Sequence, residues 1–291
     1  MKGKGPAIGG QAVLEGVMMR SPRYTAIAVR KGSEIVVKRE ENSSIADRYP
    51  ILKAPILRGA VALVEMLVVG VRALSYSAGV VSDDEEELTG RDIFMAVAMA
   101  LSFTLLVFIV LPTILTKFVA RSLESPFLLN LIEGIVRILF FLIYLIAVSS
   151  MKDIRRFFEY HGAEHKAVHC YESGEELTVE NARKYTTLHP RCGTSFLIVV
   201  MVVSILFFSA FGWPGVVARV VWRILLFPLV AGVSYEFIRL AGKSNSPLVR
   251  LLSAPGLWLQ KLTTREPDDS QLEVALEALK CVLSGGDGFA G

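Results

Sequence analysis

Charge is scarce in this sequence. Only 20% of its 291 residues are Asp, Glu, Lys or Arg, against 53% hydrophobic residues and a mean hydropathy of +0.50. So apolar a chain is poorly explained as an ordinary soluble enzyme and points to a membrane protein with polar parts attached. The formal charge of +3 is small and no basic patch is clustered, which argues against nucleic acid as a partner. The first residues, MKGKGPAIGGQAVLEGVMMR, lack an apolar core of signal-peptide length and a cleavage site after one, so the N-terminal region is expected to stay in the cytoplasm. Cysteine is both rare and odd in number. Cys170, Cys192 and Cys281 argue against a disulfide framework and fit a reducing compartment. Histidine is rarer than its placement suggests: there are four, and all fall between positions 161 and 189.

Two uncharged runs have the length to cross about 30 Å of hydrocarbon as helices. They are IFMAVAMALSFTLLVFIVLPTIL at 93–115 and TSFLIVVMVVSILFFSAFG at 194–212, the second with Thr194 or Ser195 placed to cap its start. Two more segments are apolar but interrupted. In 127–150, Glu133 and Arg137 stand four apart with the acid first, an orientation that pairs them on one helix face. In 216–242, Arg219 and Arg223 lie near one end and Glu236 and Arg239 near the other, where long side chains reach the interface. The expectation is a mainly α, polytopic membrane protein of about four transmembrane helices, in the pairs 93–150 and 194–242. An even number of crossings puts both termini and the middle segment 151–193 on one side. That segment holds Lys152, Arg155, Arg156, Lys166, Arg183, Lys184 and Arg191, against Lys117 and Arg121 in the first short connection, which places it in the cytoplasm under the inner membrane.

Residues 1–50 read as a small cytoplasmic region containing β structure, because YTAIAVRKGSEIVVKREE is two β-branched runs around a KGSE turn. Across 51–92, Arg58, Glu65 and Arg72 recur every seven residues on an otherwise apolar helix. This favours an interfacial or re-entrant helix over a fifth span, followed by the acidic linker SDDEEELTG. The segment 243–291 ends in a capped amphipathic helix, DDSQLEVALEALKCVLSGG, after a break at TTREP.

YHGAEHKAVHCYESGEE carries His161, His165 and His169. Helical geometry puts His161 and His165 on one face about 6 Å apart along the axis, a spacing that can hold one metal ion. Glu164 completes HxxEH, the arrangement in which two histidines bind zinc and the glutamate activates the attacking water. His161 and His169 are about 12 Å apart on a straight axis, too far for one ion with bonds of about 2 Å. Three routes resolve this: His161 and His165 pair, His165 and His169 pair, or the helix breaks at Gly162. Further ligands are expected from HPRCGTS, where His189 and Cys192 precede a span; at that helix N-terminus the dipole and free amides favour a thiolate. A thiolate there is a ligand or, with a histidine as base, a nucleophile. Glu172, Glu175, Glu176 and Glu180 read as a solvated face, with Glu172 a spare ligand. Near the start, GGQAVLEGVMMRSP is no phosphate loop, since the GxxxxGK spacing is missing; it is either a packed turn or a substrate-facing element.

Together, GGQAVLEGVMMRSP, HGAEHKAVHCYE and HPRCGTSFL resemble the bacterial membrane family catalogued as domain of unknown function 1385, labelled a predicted metal-dependent enzyme. The resemblance spans nearly the whole chain and implies the membrane architecture more than any particular reaction. The residues point to a divalent metal, zinc by preference, held by histidines from His161, His165, His169 and His189 with Cys192, and to Glu164 as general base. The expected activity is hydrolysis of a peptide, lipid or other membrane-associated substrate, with a non-catalytic metal-sensing or scaffold protein, a transporter and a cysteine-dependent enzyme as the alternatives.

Overall fold

The computed structural model describes residues 5–82, 89–120, 122–210, 212–241 and 246–284, and their side chains except at 241 and 247–253. The chain begins with an antiparallel meander of four strands in sequence order: β1 (Gly9–Val13), β2 (Gly16–Arg20), β3 (Tyr24–Lys31) and β4 (Glu34–Glu41). The hairpin expected at 24–41 is β3–β4, closed by Lys31↔Glu34. GGQAVLEGVMMR forms a second hairpin, β1–β2, closed by Val13↔Gly16 with Glu15 at its tip. Neighbouring residues of a strand face opposite sides. Val17, Met19, Ala26 and Ala28 therefore enter one core, and Met18, Ile27 and Val29 another.

Helices cover both faces. After a short turn of helix α1 (Ile45–Arg48), α2 (Leu57–Val81) lies on the Met18 and Ile27 side through Val69, Ala73 and Tyr76. Next come α3 (Gly90–Leu105), a π-helical turn at Leu106–Val110 and α4 (Leu111–Val119), one continuous rod begun by a capping box between Thr89 and Asp92. Helix α5 (Pro126–Ser149) starts on a proline, which loses no helical hydrogen bond at that position. It leads into α6 (Lys152–Ser173), ended by left-handed Gly174, and a single turn α7 (Val179–Arg183). Then α8 (Gly193–Ser209), α9 (Val216–Ala241), α10 (Pro247–Thr263) and α11 (Asp269–Leu283) complete the chain. Helices α6 and α11 cover the other face of the sheet, with Tyr160, Ala163, Ala167, Leu272, Ala275 and Leu279 in the shared core.

Among the described residues, three helical stretches are long and apolar enough to cross a membrane: Gly90–Val119, Pro126–Ser149 and Val216–Leu240. The fourth expected span, α8, is apolar but has 17 residues. It begins one residue earlier than expected and on a different cap. The turn through Pro190 leaves Cys192 extended, and its Sγ accepts from the Thr194 amide, so Cys192 is the N-cap rather than Thr194 or Ser195. Glu236 pairs with Arg239 at 4.0 Å, one turn along the same helix, and more closely with Arg58 at 2.6 and 2.5 Å. That fork ties α2 to α9.

Candidate metal centre

Helix α6 is unbroken through Gly162, so His161, His165 and His169 form one stripe along it. Of the three ways to reconcile those histidines, a break is excluded. Glycine at 162 serves another purpose: a Cβ there would lie 2.0 Å from the Arg265 carbonyl oxygen. Only a residue without a side chain lets the segment after α10 cross so near the helix.

The stretch Thr187–Cys192 runs back along the histidine stripe. His165 Nδ1 meets the Thr187 carbonyl at 2.5 Å, and His169 Nε2 meets the Leu188 carbonyl at 2.9 Å. At the far end, His161 Nδ1 meets the Thr263 carbonyl at 2.8 Å, and its Nε2 faces Cys192 Sγ at 3.2 Å. A carbonyl only accepts, so each of these nitrogens carries the proton and the opposite one keeps its lone pair. His161 and His165 are thereby held in the tautomer that leaves Nε2 free, the orientation typical of a metal-binding imidazole.

Two groups of ligand-type atoms result, each within 4.8 Å: His161, His165 and Cys192, and His169, Glu172 and His189. Bonds of about 2.0 Å to nitrogen and 2.3 Å to sulfur at tetrahedral angles separate such donors by roughly 3.5 Å, close to the His161–Cys192 distance. The second group carries contacts of a different kind, and its His189 Nε2 is buried without a hydrogen-bond partner among the described residues. The Arg191 amide donates to His189 Nδ1 at 3.3 Å, which leaves the proton on Nε2, 3.5 Å from Glu172 Oε2. Glu172, expected on a solvated face, is paired with Arg191. Burial pushes the His169 imidazole below its usual value, partly countered by the Leu188 carbonyl; burial also lowers His189, against Glu164, which raises it. Both rings are therefore neutral near pH 7.

Glu164, the residue after Ala163 in HGAEH, is 5% exposed, with Oε2 3.5 Å from His165 Nε2. The first hairpin bears on it directly. A Cβ on Gly10 would come within 2.8 Å of Glu164 Cγ and 2.6 Å of the Met18 carbonyl oxygen, so β1 needs glycine to lie there. At the hairpin tip Glu15 pairs with Arg156 and accepts from the Tyr160 hydroxyl at 3.2 Å. GGQAVLEG is therefore a packed element that buttresses the helix carrying the histidines.

Sequence reasoning missed the residues that hold this arrangement. Gln260, fully buried on α10, accepts from the His189 amide at 2.8 Å and donates to the His189 carbonyl at 2.9 Å and Ser195 Oγ at 3.0 Å. Thr187, Leu188 and Thr263 act through backbone oxygens, which leave no mark on residue type. The TTREP break was visible as a boundary and gave no sign of touching His161.

An apolar helical bundle that carries a sheltered cluster of histidine, cysteine and glutamate at one end is thus the class of protein defined here. The family described as "Protein of unknown function (DUF1385)" matches residues 54–285, and the chain belongs to that family. It is 33% identical, over 96% of its length and 92% of the relative's, to "Uncharacterized protein YqhQ" of Bacillus subtilis (strain 168). No solved structure matches it.

Proposed function

We propose that this protein is a zinc-dependent hydrolase of the inner membrane, with four transmembrane helices (α3–α4, α5, α8 and α9), the N-terminal sheet and both termini in the cytoplasm, and its site at the cytoplasmic face. The observation that carries the reading is the pair His161 and His165, each pinned at Nδ1 by a backbone carbonyl, with a ring nitrogen of each grouped within 4.8 Å of Cys192 Sγ. Two imidazoles and a thiolate suit a borderline-soft divalent cation, and three protein ligands leave a fourth position for water. Bound there, zinc supplies Lewis acidity and lowers the pKa of water toward neutrality. Glu164 Oε2 takes a proton from the attacking water and returns it to the leaving group. Gly10 and the β1 backbone shield that carboxylate from bulk solvent. The substrate is a peptide or lipid presented at the membrane surface, since the site lies just beyond the ends of α5 and α8.

Elemental analysis of the purified protein is expected to find one zinc per chain, lost in His165→Ala and kept in Glu164→Gln, with hydrolysis of membrane peptides or lipids abolished in both. A wild-type protein without bound transition metal sinks the reading. One observation favours a second: the 3.2 Å contact between His161 Nε2 and Cys192 Sγ, with His161 oriented by Thr263, is also the geometry of a cysteine nucleophile and its base. It predicts hydrolysis that survives metal chelation and is abolished by thiol alkylation, whereas the zinc reading predicts loss on chelation.

A further inference from the structure

At the opposite end of α5 and α8 from the histidines, the bundle encloses a second cluster that the hydrolase reading leaves unused. Glu133, fully buried, faces three guanidiniums. Arg137 lies at 2.9 Å, Arg223 at 2.5 Å, and Arg219 pairs with the other carboxylate oxygen. Arg219 and Arg223 are 5% and 8% exposed. Three positive charges against one negative leave a surplus of two, and no second carboxylate pairs with them among the described residues. Unpaired charge among apolar helices is expensive, and such groups mark binding sites or ion pathways. Arg219 Nη1 is moreover buried without a hydrogen-bond partner among the described residues. Two narrow clefts share Asn130, Phe208 and Arg223: the larger, about 20 Å³, opens beside Arg219, and the smaller lies beside Arg137.

Position narrows what would neutralise the surplus. Arg219 is the fourth residue of α9, and Glu133 and Arg223 are the eighth of their helices, so at 1.5 Å per residue they lie roughly 5–10 Å in from the helix ends. For helices of 24 and 26 residues centred on a core of about 30 Å, this puts Arg219 at the edge of the hydrocarbon and Glu133 and Arg223 several ångströms inside it, where a long guanidinium side chain reaches toward a headgroup phosphate. Trp213, with the Arg219 guanidinium 3.3 Å from its ring centroid, and Trp222, which lines the larger cleft, have the interfacial placement of aromatic residues. Guanidinium forks match phosphate oxygens in geometry and charge.

We infer that the Arg137, Arg219 and Arg223 cluster around Glu133 is a binding site for the phosphate of an anionic phospholipid headgroup. The net charge of +2 selects lipids without a compensating cation. Inorganic phosphate offers the same oxygens but no acyl chains to anchor beside Trp222.

Native mass spectrometry of the detergent-solubilised, lipid-stripped full chain, titrated with phosphatidylglycerol, phosphatidylcholine or inorganic phosphate, tests this. One phosphatidylglycerol is expected to remain bound per chain, in preference to phosphatidylcholine, with Arg219→Gln lowering that affinity about tenfold. Glu133→Gln, which raises the surplus to three, is expected to hold phosphatidylglycerol more tightly, whereas a purely structural ion pair would yield no such gain. Equal retention of the two lipids, unchanged affinity in a folded Arg219→Gln, weaker retention in Glu133→Gln, or inorganic phosphate bound more tightly than the lipid would each overturn the assignment.

Discussion

Replacing Gly162 with alanine adds one methyl group at the point where α6 meets the segment after α10. The added carbon would sit 2.0 Å from the Arg265 carbonyl oxygen and 3.2 Å from Thr187 Cγ2. A normal carbon–oxygen contact is about 3.3 Å, so one backbone must retreat by about 1.3 Å. Neither can yield without disturbing the site. Arg265 donates its amide to the Phe158 carbonyl at 2.9 Å and stands two residues after Thr263, whose carbonyl holds His161; Thr187 holds His165. Overpacking of this kind costs about 1–3 kcal/mol, offset by up to about 1 kcal/mol from the better helix propensity of alanine. Net destabilisation should therefore fall between about 0 and 3 kcal/mol. The effect on metal should exceed that on folding, because losing the orientation of a ligating imidazole typically weakens binding 10- to 100-fold. Competition against a chromophoric chelator measures the affinity, and thermal melting of the same samples measures stability. Gly193→Ala is the control: it adjoins Cys192, yet its Cβ would meet nothing within 4 Å, so both quantities should stay unchanged. Full metal affinity in Gly162→Ala would refute the claim that the carbonyls of Thr263 and Thr187 set the site.

The remaining expectations divide the candidate ligands. Cys192→Ala should remove the metal, whereas His169→Ala should retain it, because His169 lies outside the group formed by His161, His165 and Cys192; two metals per chain in the wild type would contradict this. Gln260→Leu strands the buried amide and carbonyl of His189 and should cost about 1–3 kcal/mol for each unsatisfied group, read from the denaturation midpoint of the solubilised protein. Gly10→Ala would press on both the Met18 carbonyl and Glu164, and should lower the melting temperature by an amount equivalent to about 1–3 kcal/mol and weaken metal affinity in the same samples.

What could be read from the chain alone follows from which physical signals are local. Uncharged runs identify apolar helices because composition over about 20 residues decides them, and the β3–β4 hairpin showed itself through β-branched residues around a turn. Helical rise alone forbade one ion between His161 and His169, and the structure divides the cluster between them. By contrast, the assignment of His189 to Glu172 rather than to Cys192's group depends on a single backbone amide, that of Arg191, which no residue pattern announces. The closer partner of Glu236 went unseen for a similar reason. Arg239 is near in sequence, but Arg58, 178 positions away, reaches it with both nitrogens.

The three motifs by which the chain resembles its family turn out to be parts of one assembly on α6. HGAEHKAVH supplies the donors, HPRC brings the thiol just after the Thr187 and Leu188 carbonyls that orient His165 and His169, and GGQAVLEG supplies a hairpin thin enough at Gly10 to lie on Glu164. Glu15 at the tip of that hairpin grips Arg156 and Tyr160, about two turns and one turn before Glu164 on the helix. The contact fixes the rotation of α6 about its axis, and that rotation decides whether the histidine stripe faces Thr187–Cys192. A hairpin with no ligand of its own therefore governs the site, and mutations in it should act through metal affinity and stability together rather than through chemistry alone.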